Sequence, residues 1–112
     1  MGKVTWNGAT TKVINNETVK SDEIYVERGK TLTVGIHSNN AAPTASIKVF
    51  VRMEKDGKWF FTNSIPNTDL QAEDGETGKS GSCALVGGVY SFKLQITTTQ
   101  SETITAQYYV EV

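Results

Sequence analysis

Polar and apolar residues alternate along most of this chain, and the alternation has the period of a strand. In residues 47–54, Ile47, Val49, Val51 and Met53 interleave with Lys48, Phe50, Arg52 and Glu54, as in a sheet with one buried face. Asp56-Gly57 follows, a dipeptide suited to the positive φ of a two-residue type I′ turn. Then come Trp59, Phe60 and Phe61, the heaviest aromatic cluster in the sequence. Residues 47–61 are therefore predicted to form a hairpin. Trp59 joins Val49, Val51 and Met53 on its core side, while Phe50, Arg52 and Phe60 face away.

The same period recurs on both sides of this hairpin. In residues 31–37, Leu32, Val34 and Ile36 point inward; in 89–98, Tyr90, Phe92, Leu94 and Ile96 do so. In 103–112 the inward set is Ile104, Ala106, Tyr108, Val110 and Val112. Shorter strands are expected at 10–14 and 18–20 around Asn15-Asn16, at 23–26 with Tyr25 opposite Ile24 and Val26, and at 82–86. Turn residues separate them: Asn7-Gly8, the polar segment 27–30, Pro43, Pro66-Asn67, the Gly-rich stretch 73–81, and Gly87-Gly88 as a hairpin signal. No segment repeats apolar residues at helical spacing. The expectation is an all-β chain, a single domain over residues 1–112, built as an antiparallel two-sheet β-sandwich of about eight strands, Ig-like or jelly-roll-like.

Composition narrows the function classes. At 112 residues a chain buries about 65% of the surface it exposes when unfolded, enough for a core without metal or disulfide. The net charge of −1 lacks the basic bias of a nucleic-acid binder or a ligand of acidic membranes, and no apolar run reaches membrane-spanning length. The first residues have no apolar signal core, and Trp6 stands where a myristoylation signal needs Ser or Thr. These features point to synthesis in a reducing cytosol.

Candidate chemistry is sparse. Cys83 and His37 are the one cysteine and one histidine, too few for a zinc site. Cys83 shares the phase of Leu85 and reads as a small core residue with an unreactive thiol. Asp69, Glu73, Asp74 and Glu76 do not follow calcium-loop spacing and read as a solvated loop, so neither metal nor cofactor is expected. Carboxylates on one loop also lack the placement across a cleft that a glycosidase pair needs. The expectation is that the chain is not an enzyme. What remains is a set of aromatic and cationic residues on the outward phases of their strands: Tyr25, Phe50, Arg52, Phe60 and Tyr109 form the candidate contact surface.

From residue 47 onward the order of signals is K-D-G-K-W, a polar stretch, G-G-V-Y-S-F-K-L-Q-I, and T-I-T-A-Q-Y-Y-V-E-V. This resembles small β-sandwich domains of tailed-bacteriophage virion proteins, which pair a D-G-x-W hairpin with a late G-x-Y-x-F strand and a Thr/Val-rich final strand. Lys55 departs from the Ser or Asn common before Asp-Gly in that family. The resemblance covers residues 47–112. It implies a non-enzymatic structural protein of a virus particle, such as a head-decoration or accessory protein, made in the host cytoplasm and located in the virion. Its partner would be a capsid or other virion protein, with a homo-oligomer possible. The alternative is a carbohydrate- or surface-binding module whose glycan stacks on Trp59, Phe60 or Tyr109.

Overall fold

The computed structural model describes residues 3–4, 9–26, 31–85 and 88–111. The strands are β1 (Lys3–Val4), β2 (Ala9–Asn15), β3 (Thr18–Ser21), β4 (Ile24–Tyr25), β5 (Thr31–Ser38), β6 (Ser46–Arg52), β7 (Trp59–Ile65), β8 (Gln71–Ala72), β9 (Lys79–Leu85), β10 (Ser91–Thr97) and β11 (Ser101–Glu111), with one 3₁₀ turn at Asn67–Asp69. They form a β-sandwich. One sheet runs β1-β3-β10-β6-β7, with β4 also pairing β10; the other runs β2-β11-β5-β9-β8. Setting aside the two-residue strands β1, β4 and β8 leaves eight, in line with the expected number, although β4 falls within the strand expected at 23–26. Among the described residues, all pairings are antiparallel except β1 with β3, where Lys3 and Val4 run parallel to Lys20 and Ser21.

Period-two alternation decides which side chains meet between the sheets. The core includes Val19, Ile24, Ile47, Val49, Val51, Ile65, Phe92, Leu94 and Ile96 from the six-stranded sheet, and Ile14, Leu32, Val34, Ile36, Ile104 and Ala106 from the five-stranded one. Tyr108 packs edge-on against Phe92, with ring centroids 5.5 Å apart. Gly81, in β9, lets the two sheets approach. A Cβ there would lie 3.0 Å from Ile65 Cγ2 and 3.1 Å from Leu70 Cδ2.

The β6–β7 hairpin differs from the two-residue form expected. Its strands end at Arg52 and begin again at Trp59, so six residues connect them. Gly57 N–H donates to the Glu54 carbonyl at 3.0 Å; Asp56 has the positive φ, 62°, that a type I′ turn requires of both its residues, but Gly57 is not among the glycines of positive φ. Cross-strand partners share a face of a sheet. Arg52 opposite Trp59 therefore puts Trp59 outside, and Val51 opposite Phe60 puts Phe60 on the core side, the reverse of the expected assignment. Phe60 stays 48% exposed because β7 is the outermost strand. Met53 lies beyond the end of β6 and is 54% exposed rather than buried.

The expected hairpin at Gly87-Gly88 is also replaced. β9 and β10 lie in different sheets, so this connection crosses between layers; Gly87 itself, like residues 5–8 and 27–30, lies outside the described residues.

Three crossings between the sheets meet at one end of the sandwich: Asn16-Glu17, residues 39–45 and residues 98–100. Thr98 N–H donates to the Glu17 carbonyl at 3.0 Å and Asn16 N–H to the Gln100 carbonyl at 3.2 Å. Glu102, only 2% exposed, sits among them. It accepts from Ser38 Oγ at 2.6 Å, Thr44 N–H at 2.8 Å, Thr44 Oγ1 at 2.5 Å and Gln100 Nε2 at 3.2 Å. Burial pushes its pKa up, but these hydrogen bonds outweigh burial and leave it below the ordinary glutamate value.

Candidate functional site

The outer face of the six-stranded sheet gathers aromatic and cationic side chains because register aligns four strands. Tyr25 on β4, Ser91 on β10, Arg52 on β6 and Trp59 on β7 form one row, and Lys93, Phe50 and Phe61 form the next. The Arg52 guanidinium lies 4.5 Å from the Trp59 ring centroid. The Lys93 ammonium lies 4.4 Å from the same centroid and 5.9 Å from that of Phe50. Phe50 and Phe61 meet edge to face at 5.9 Å. Two cations on one indole hold the ring over the sheet.

Glu23, between β3 and β4, orders this cluster. Both its carboxylate oxygens are 3.2 Å from Arg52 Nη1, and Ser91 Oγ donates to Oε2. Arg52 Nε is buried and has no hydrogen-bond partner. Tyr25 sets its ring edge-on to Tyr90 at 5.5 Å, and the Glu23 carboxylate beside it raises its phenol pKa. A shallow cleft of about 250 Å³ opens among Lys20, Ser21, Glu23, Arg52, Trp59 and Lys93. The face can offer stacking area, cation–π contact and charge to a ligand.

Of the five candidate contact residues, Tyr25, Phe50 and Arg52 share this face. Phe60 lies on the opposite side of the same sheet, and Tyr109 lies on the outer face of the other sheet. The three glycan platforms, Trp59, Phe60 and Tyr109, thus sit on three different surfaces and cannot line one groove. Phe61, Glu23 and Lys93 complete the cluster and were not among the candidates, while Trp59, expected on the core side and named only as a glycan platform, joins it. Lys93 was visible as an outward residue of β10, but only register shows that it reaches Trp59.

The remaining chemistry is dispersed. Cys83 faces the core beside Leu85, and burial pushes its thiol pKa up; His37 is exposed on the outer side of β5. The two lie on opposite faces of one sheet. Among the described residues, no three of His, Cys, Asp and Glu converge as a metal ion requires.

No protein-family model matches the chain, and no curated protein matches it in sequence. Its fold does have counterparts. The chain is similar to part of the Bacillus licheniformis lipase BlEst2 in its propeptide form, at 21% identity and TM-score 0.59, covering 92% of this chain and 21% of that one. It thus spans about a fifth of the lipase chain. It is similar to CorA, a surface-associated copper-binding protein of Methylomicrobium album BG8, at 7% identity and TM-score 0.63, covering 96% of this chain and 97% of that one. It is also similar to the SPBc2 prophage-derived protein YomS, at 12% identity and TM-score 0.50, covering 92% of this chain and 95% of that one. At these identities the fold is what the proteins share.

Proposed function

We propose that the chain is a non-enzymatic binding module of a phage particle, docking through the outer face of its six-stranded sheet onto a capsid or tail protein. The observation that carries the reading is Trp59 with both the Arg52 guanidinium and the Lys93 ammonium within 4.5 Å of its ring centroid, and Phe50, Phe61 and Tyr25 on the same face. Trp, Tyr and Arg dominate binding hot spots, and a cluster already ordered in the free protein loses little entropy on docking. Lys20, Lys48, Arg52 and Lys93 against Glu23 make this face positive on a chain of net charge −1, so the fitting partner surface is acidic. The particle setting, and with it assembly in the host cytoplasm, rests on the resemblance of residues 47–112 to virion sandwich domains. The likeness to YomS supports the same fold.

Co-sedimentation with assembled heads and tails of the phage that encodes the chain tests this. The wild type pellets with particles, more weakly as salt rises. Trp59→Ala lowers apparent affinity by about tenfold or more, whereas Tyr109→Ala, on the opposite sheet, pellets as the wild type. Unchanged pelleting of Trp59→Ala would discard the face; no pelleting with any particle would discard the setting.

A further inference from the structure

The outer face of the five-stranded sheet carries a vacancy at its centre. Register places nine outward positions in three rows: Ser80, His37 and Thr105; Ser82, Gly35 and Gln107; Ala84, Thr33 and Tyr109. Eight have side chains and the middle one is Gly35. Strand spacing and rise make the opening about 10 Å across the strands and about 13 Å along them, between the backbones that carry its rim. Two adjoining hollows meet there, of about 330 Å³ and about 190 Å³, sharing Gly35 and Gln107.

Nothing in the fold requires a glycine at this position. Gly35 is not among the glycines of positive φ. A Cβ added to it would meet only the Gly81 carbonyl oxygen at 3.8 Å and the Gln107 carbonyl oxygen at 4.0 Å, ordinary contact distances. A glycine inside a central strand is unfavourable for the sheet, and close approach of another group to the backbone is one of the few reasons for it. Gly81 in β9 has its reason within the fold; Gly35 has its reason outside it.

We propose that this vacancy is a binding site for a neutral sugar ring seated on the Gly35 backbone. Apart from His37 at one corner, the rim carries no ionisable side chain near neutral pH. Thr33, Ser80, Ser82, Thr105 and Gln107 both donate and accept hydrogen bonds, as sugar hydroxyls do. Tyr109, 64% exposed, supplies an aromatic face at the edge for the apolar face of the ring. A phosphate or carboxylate ligand would find no lysine or arginine among these rim residues, and a purely apolar ligand would leave the hydrogen-bonding capacity of the rim unused. The site is independent of the Trp59 face, which lies on the far side of the sandwich.

Amide chemical shifts of the isotope-labelled full chain test it, titrated with methyl glycosides of glucose, galactose, mannose and N-acetylglucosamine. At least one glycoside is expected to move the amides of Gly35, Ser82, Gln107 and Tyr109 and leave those of Trp59 and Phe61 in place. Gly35→Leu, which fills the vacancy, weakens that glycoside by about tenfold or more, as does Tyr109→Ala. Gly35→Ala weakens it while keeping or raising the melting temperature, a combination that a purely structural glycine does not give. Trp59→Ala binds it as the wild type. The site is refuted if no glycoside moves these amides at saturating concentration, if the shifts centre on Trp59, or if Gly35→Ala and Tyr109→Ala both bind as the wild type.

Discussion

Replacing Glu102 with Gln removes one charge from the end of the sandwich where three crossings meet. The carboxylate accepts four hydrogen bonds, from Ser38, twice from Thr44, and from Gln100, and an amide keeps one acceptor oxygen while presenting an NH₂ to donors. Hydrogen bonds to a charged group are worth about 1.5–3 kcal/mol each. Losing one or two, partly offset by the lower cost of burying a neutral group, gives a loss of about 2–4 kcal/mol. For a domain of this size that is a fall in melting temperature of about 8–16 °C. The effect depends on pH in a defined direction. Because the hydrogen bonds hold Glu102 below its ordinary pKa, the unfolded chain binds its proton first as pH falls. The contribution is complete above the ordinary glutamate range, about 4.3, and is lost as pH drops through the folded value. Urea denaturation of both proteins at neutral pH and at about pH 3 reads this out: a wide gap at neutral pH that narrows in acid. Equal stability at neutral pH, or a gap unchanged in acid, would refute the role given to the charge.

Two further outcomes follow from local geometry. Asp56→Gly relieves a left-handed aspartate and raises stability by about 0.5–1 kcal/mol. Gly57→Val brings a Cβ to 3.0 Å from the Glu54 carbonyl oxygen and lowers stability by about 1–2 kcal/mol; denaturant melts in the opposite order would overturn the turn geometry. Cys83, its thiol pKa raised by burial, has less thiolate at neutral pH than a free cysteine. It is alkylated by iodoacetamide about tenfold or more slowly folded than unfolded, and equal rates would show an accessible thiol.

Much of the sandwich was legible because alternation reports which face a residue takes. Leu32, Val34 and Ile36, and likewise Phe92, Leu94 and Ile96, are buried as their periodicity demands. Alternation does not report the neighbouring strand. Gly87-Gly88 signals a change of direction equally well for a hairpin and for a crossing between sheets. The aromatic site was partly legible for the same reason. Tyr25, Phe50 and Arg52 carry their outward phase in the sequence, whereas the arrangement of Arg52 and Lys93 about Trp59 depends on register across β10, β6 and β7. Phe60 shows a different limit of pattern: its expected outward phase rested on a two-residue turn, the longer connection reverses it, and an edge strand leaves it exposed even so. Glu102 shares the inward phase of Ile104 and Ala106, and an acid in an apolar phase was the signal that it had a buried task.

The order of strands bears on how the chain reaches this structure. Among the described pairings, β6 with β7 and the two-residue β8 with β9 join segments close in sequence; β3 with β10, β2 with β11 and β5 with β11 join segments dozens of residues apart. Each distant pairing closes a long loop before its contacts compensate the lost entropy. The hairpin carrying Phe50, Arg52, Trp59 and Phe61 is thus the one sizeable piece of sheet that local contacts alone can begin, and its aromatic cluster can assemble while the two ends of the chain are still apart.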